Sequence, residues 1–206
     1  MPTASAQILE IAKRQRIVRP RDLAARGIAR EHLIRLLRKG VLTRAARGIY
    51  MLAGAPVTEH HGLALVGKQA PNAVVCLLSA LQFHGLTTQQ PHEVWIAVGV
   101  KAHRPTIAWP AVRVVRFSGP ALSEGVENHK LEGVPVRVYG IAKTVADCFK
   151  YRRKIGTDVA IEALRDALRK RVSVDEIYRF AKICRVANVI RPYLESASPP
   201  RSVPDC

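Results

Sequence analysis

The chain has 206 residues, 33 Lys plus Arg against 16 Asp plus Glu, a net charge of +17, and 48% hydrophobic residues. So much apolar material excludes intrinsic disorder over most of the length, while the charge excess calls for an anionic partner. The first ten residues carry neither a charged n-region nor an apolar h-region, and the run Ala73 to Leu81 is about half the ~20 residues of a membrane span, so a soluble, cytoplasmic protein without a membrane partner is expected.

From Ser5 to Arg16, Ile8, Leu9, Ile11 and Ala12 recur at helical spacing, with Ser5 as the expected cap. Arg19-Pro20 opens a short second helix, Pro20 to Arg26, carrying Leu23 and Ala24 inward and stopped by Gly27. A third helix is expected from about Arg30 to Lys39: Leu33, Leu36 and Leu37 share one face, Glu31, Arg35, Arg38 and Lys39 point the other way, and Gly40 ends it. Two helices joined by a short Gly-containing turn, the second basic on its outer face, make either a helix-turn-helix or an ordinary helical hairpin. The following V-L-T-R-A-A-R-G-I-Y-M-L favours the former. It predicts strands Val41 to Thr43 and Ile49 to Leu52 around a turn at Ala45 to Gly48, a β-wing carrying Arg44 and Arg47.

Residues 1 to 54 hold 12 basic and 3 acidic side chains, net +9; residues 55 to 140 hold 7 and 5, net +2; residues 141 to 192 hold 13 and 6, net +7. Half the excess therefore lies in about a quarter of the chain, as expected of a polyanion-binding module. Aromatic residues make up only 5% and are not interleaved with this cluster, so duplex DNA is favoured over single-strand stacking. Arg35, opposite the apolar stripe, is the candidate for a base edge, with a phosphate contact as its alternative. Arg30, Arg38, Lys39, Arg44 and Arg47 are candidates for phosphates, Glu31 shares their face, and His32 either packs, is solvated or faces DNA.

The segment Leu52 to Thr58 is a candidate boundary, giving expected domains at 1–54 and 58–195, with a Pro- and Ser-rich disordered tail at 196–206. The second domain is expected to be α+β. A helix capped at Thr58 runs to about Ala70, the apolar run Ala73 to Leu78 follows, and a helical stretch Ser79 to His84 ends at Gly85. Strands come at Glu93 to Val98, Val112 to Phe117 and Val134 to Tyr139, then helices at Thr144 to Tyr151, Asp158 to Arg171, and from the Ser173 cap to about Val186. Lys150, Arg152, Arg153 and Lys154 form either a solvated helix end or a second nucleic-acid patch, joined in charge by Arg165, Arg169, Lys170 and Arg171.

Several motifs occur in one order: R-G-I-Y-M-L at Arg47 to Leu52, S-A-L-Q-F-H-G-L at Ser79 to Leu86, E-V-W-I-A-V next, and V-P-V-R-V-Y-G-I-A-K-T-V-A-D-C at Val134 to Cys148. Together they resemble the antitoxin family of the bacterial abortive-infection AbiE (type IV) toxin-antitoxin systems, over nearly everything up to about residue 195. The resemblance implies a repressor that binds inverted repeats in its own promoter. It also implies a second domain that counters a nucleotidyltransferase-type toxin without a stable complex with it.

Enzymatic sets are poorly represented. The adjacent His60 and His61 lack the i, i+4 spacing of a helical zinc pair and are expected at a solvated helix start. Cys76, Cys148, Cys184 and Cys206 form no C-x-x-C; Asp147-Cys148 falls in an apolar helical pattern and is expected in the core; His84 is expected at a helix end, hydrogen-bonded or packed. There is no phosphate-cradling or dinucleotide-binding glycine loop and no G-x-S-x-G. The expectation is a non-enzyme with no metal and no cofactor. The rival function is an RNA- or protein-binding interaction module without sequence-specific DNA recognition.

Overall fold

The computed structural model describes residues 3–197 and has the expected α+β composition, with helices first, then sheets, then helices. Its first part comprises α1 (Ala4–Gln15), α2 (Pro20–Ala24), α3 (Arg30–Arg38) and the antiparallel pair β1 (Leu42–Ala46) and β2 (Ile49–Leu52). A bridge between Val18 and Tyr50 ties the segment after α1 to the hairpin. Ile8, Ala12, Val18, Leu23, Leu33, Leu36, Leu42 and Tyr50 share one apolar cluster: the 3.6-residue period turns the helical positions inward, and Val18, Leu42 and Tyr50 join them from the bridge and the hairpin.

Local details depart from expectation. The α1 cap is Thr3, not Ser5: the Thr3 hydroxyl accepts from the Ala6 amide at 3.3 Å. α2 stops at Ala24, whose side chain is exposed rather than inward, and β1 runs on to Ala46, where a register shift opposite β2 absorbs the extra residue. The chain leaves α3 through Gly40 at φ +67°, a left-handed conformation that glycine adopts without a Cβ penalty.

The second part is built on a five-stranded mixed sheet. It contains α4 (His61–Gln69), β3 (Val74–Val75), α5 (Leu77–Phe83), β4 (Val94–Gly99), β5 (Val112–Phe117), α6 (Pro120–Ser123), β6 (Val126–Leu131) and β7 (Val134–Tyr139). The helices α7 (Ile141–Lys150), α8 (Arg152–Ile155), α9 (Thr157–Arg169), α10 (Val174–Ile183) and α11 (Ala187–Ala197) follow. Strand order is β5-β4-β3-β7-β6, parallel between β4 and β5 and between β3 and β7, antiparallel elsewhere. One face, with Val74, Trp95, Val115, Phe117 and Tyr139, packs on α7, α9, α10 and α11; α4 covers the other through Leu63, Leu65 and Val66. With both faces covered, the central strands read as continuous Val-rich runs. No described helix is long and apolar enough to cross a membrane.

β6, V-E-N-H-K-L, carries no strand pattern and exists because β7 pairs with it from Val126↔Tyr139 to Leu131↔Val134. β3, α6, α8 and α11 likewise go beyond the elements expected from local sequence. α11 runs through Pro192 to Ala197, so residues 196 and 197 of the expected tail are helical; residues 198–206 lie outside the described part. α4 begins at His61, three residues after the expected cap; the Thr58 amide and hydroxyl donate to Glu132 at 2.9 and 3.0 Å, and the same hydroxyl accepts from the His60 amide at 3.3 Å.

The two parts meet in an apolar joint flanked by hydrogen bonds and ion pairs. Ile17 and Ile49 are buried with Leu63, Leu65, Val75, Val134 and Val136. Beside them, Lys68 of α4 pairs with Asp22 of α2 at 2.8 Å and donates to the Gln15 side chain at 3.4 Å, and Arg19 contacts both Asp22 and the Lys68 carbonyl. Gly133, at φ +78° in the β6–β7 turn, lies against the end of α1. A Cβ there would meet the Arg14 carbonyl oxygen at 2.9 Å, so only glycine allows the approach.

Candidate nucleic-acid interface

α3 presents Glu31, Ile34, Arg35 and Arg38 on one outward stripe, the i, i+3, i+4, i+7 repeat of a helix face, while Leu33 and Leu36 are buried behind it. Arg30 stands exposed at the helix start and Lys39 at its end. The side chains of Arg30, Glu31, Arg35, Arg38, Lys39 and Arg47 make no ion pair or hydrogen bond to any described residue. Arg44 makes a single contact, donating from Nε to the Ala46 carbonyl at 3.3 Å. Glu31 lies four residues before Arg35, the favourable order for an intrahelical pair, yet none forms. Arg44 lies within β1, which runs past its expected end at Thr43, and Arg47 occupies the turn, so all seven sequence candidates belong to α3 or the hairpin that follows it. His32 is half-buried, and its Nδ1 is shielded from solvent without a hydrogen-bond partner.

Not every cation of the module is free. Arg19, equally basic in sequence, is consumed by the joint, and Arg16 donates to the Pro56 carbonyl at 3.3 Å. Burial would raise the Asp22 carboxyl, but hydrogen bonding and charge from Lys68 and Arg19 outweigh it and hold the group below the ordinary carboxylate range. Among the described residues of the N-terminal module, α3 and the hairpin gather unspent cations, and exposed Arg14, Arg21 and Arg26 are unspent as well; the spent ones include Arg19 at the joint and Lys13, which pairs with Glu10 on α1 at 3.2 Å.

The second basic patch is only partly free. Lys150, Arg153 and Lys154 are exposed at the α7–α8 corner, with the Lys154 ammonium 5.7 Å from the Tyr151 ring centre. Arg152 is half-buried and donates to the Phe149 carbonyl at 2.8 Å, satisfying a helix-end acceptor.

His61 corrects the solvated-start expectation. Its side chain is 13% exposed and its Nδ1 donates to Glu132 at 2.7 Å, with Glu132 itself only 3% exposed. From the β6–β7 turn, the carboxylate draws three groups together, the Thr58 amide, the Thr58 hydroxyl and the His61 ring, a contact invisible from the neighbouring sequence. Sequence reasoning also missed a fully buried ion pair one helical turn apart in K-T-V-A-D: Lys143 Nζ lies 2.7 and 2.6 Å from the Asp147 carboxylate oxygens. Cys184 donates to Asp147 at 3.1 Å, and the Lys143 ammonium sits 4.1 Å from the Tyr139 ring centre. Burial pushes the Asp147 carboxyl up against the pull of Lys143, and pushes the Cys184 thiol up to about 12. The i, i+4 spacing was the available signal.

Cys76 and Cys148 are fully buried, and burial raises both thiols, as it does for Cys184, so none of the three supplies a thiolate near neutral pH; Cys206 lies outside the described residues. His84 caps α5, with Nε2 2.8 Å from the Tyr139 carbonyl. No group of three or more His, Cys, Asp or Glu among the described residues could hold a metal ion.

Residues 6–53, from α1 through β2, match the family model described as transcriptional regulator, AbiEi antitoxin. Over nearly its whole length the chain is similar in fold to the RV2827C protein from Mycobacterium tuberculosis. The TM-score is 0.63 at 17% sequence identity, covering 97% of this chain and 79% of that one. No curated protein sequence matches.

Proposed function

We propose that the chain is a cytoplasmic, DNA-binding autorepressor and antitoxin of a type IV toxin-antitoxin system, and that α1 to β2 form a winged helix-turn-helix. The carrying observation is the set of unpartnered cations on α3 and the adjoining hairpin, in the segment that matches the AbiEi regulator family. In this reading α3 enters the major groove, Arg35 reaches a base edge, and Arg30, Arg38, Lys39, Arg44 and Arg47 hold phosphates. Phosphate contacts give affinity and register; base contacts give sequence choice.

The second domain, from about residue 58, holds the reading module at a fixed angle and serves the antitoxin role against a nucleotidyltransferase-type toxin without a stable complex. Its Lys150, Arg153 and Lys154 serve in this reading as a second nucleic-acid contact, supported by their exposure, with Arg152 holding the helix end. DNA is the macromolecular partner, as inverted repeats in the chain's own promoter.

A gel-shift titration of the full chain against its own upstream region, with scrambled duplex and RNA of equal length as competitors, tests the repressor. Selective retention of the upstream duplex is expected. With about four to six phosphates contacted per protomer, log affinity should fall with log salt at a slope of about −4 to −5. Equal binding to every polyanion, or preference for RNA, overturns the repressor in favour of the interaction module.

A further inference from the structure

We propose that Ile34 reads the C5-methyl group of a thymine in the major groove, beside the base contacted by Arg35; this rests on the DNA-reading function above. Ile34 is a large hydrophobic residue 37% exposed at the centre of an otherwise charged stripe, with Glu31 three residues before it and Arg38 four after. It is absent from the apolar cluster that Leu33, Leu36 and half-buried Leu37 build on the inner side of α3. Helix formation does not call for it: a β-branched side chain is a poorer helix former than Leu, Lys or Arg at an exposed position.

Isolated surface hydrophobes are ordinary; what sets Ile34 apart is its place in the stripe. The unpaired Glu31 on the same face would be repelled by a phosphate, whereas a carboxylate can accept from the cytosine amino group, so the stripe suits base edges better than backbone. Among the features that base edges present in the major groove, the thymine methyl is the apolar one, and an exposed branched aliphatic side chain is its complement. Arg35, adjacent in sequence and on the same stripe, supplies the polar half of the contact, so one turn of α3 would carry both kinds of readout.

The test uses the full chain. Selection from a random duplex library gives the preferred site, each thymine of that site is replaced singly by deoxyuridine, and affinities are measured for the wild type and for Ile34→Ala. One position is expected at which loss of the methyl weakens the wild type about fourfold, the equivalent of one buried methyl group. Ile34→Ala should bind the thymine and deoxyuridine forms of that position equally, with an unchanged thermal midpoint. If no thymine responds, or if Ile34→Ala keeps the wild-type sensitivity, the assignment is overturned while DNA reading stands. A changed oligomeric state in Ile34→Ala with that sensitivity intact also overturns it, by reassigning Ile34 to contact between copies. Failure to enrich any duplex sequence overturns the DNA-reading function and this inference together.

Discussion

The outer face of α3 and the joint beneath α2 are both rich in arginine, lysine and acid, and they use them in opposite ways. At the joint, Arg19 and Lys68 share the Asp22 carboxylate beside the buried Ile17 and Ile49. On α3, Glu31 and Arg35 stand one turn apart and leave each other alone. Formal charge is therefore a poor guide to where a polyanion binds: Arg19 and Lys68 are spent within the structure, whereas α3 and its hairpin gather free cations beside one another.

The contrast can be broken most forcefully at the joint. Ile17 is fully buried, so Ile17→Ala should cost about 2–5 kcal/mol through lost transfer energy and an unfilled cavity, read from denaturant unfolding of the full chain. Cleavage by a protease between residues 53 and 60 should rise with it. A loss below about 1 kcal/mol would show that the joint is loose.

Charge reversal on the other region should do the opposite. Arg35→Glu is expected to abolish selective retention of the preferred duplex while changing stability by no more than about 0.5 kcal/mol, because the side chain is exposed and has no partner to lose. A collapsed thermal midpoint would move Arg35 to the structural group.

The smallest expected effect concerns pH. Asp22 has a folded pKa held below its ordinary value of 3.8, so its contribution is fully present above that value and is lost as pH falls through the lowered folded pKa. Because the pair is worth about 1 kcal/mol or less, wild-type stability should drop slightly more than that of Asp22→Asn as pH falls below about 4. Parallel profiles for the two proteins would separate the joint's stability from this ion pair.

Much of the candidate interface was legible because its signals are local. The face shared by Leu33 and Leu36, the glycine ending α3, and the strand Ile49 to Leu52 each follow from a few consecutive residues. Hydrophobic runs likewise gave β5 and β7 their observed limits. Ile34 escaped notice because an isoleucine within an apolar-periodic helix reads as core until its exposure is seen. β6 escaped because its pairing with β7, rather than its own composition, makes it a strand.

The sequence by itself determined the α+β class, the basic N-terminal module and the outward charges of α3, since helical periodicity and composition act over neighbouring residues. Only the tertiary structure decided which charges remain available. Lys68 reaches Asp22 and His61 reaches Glu132 across long stretches of chain, and Lys143 closes on Asp147 where burial removes the competing water. Partner choice among like-charged residues depends on distance and desolvation, which folding sets and residue order alone does not reveal.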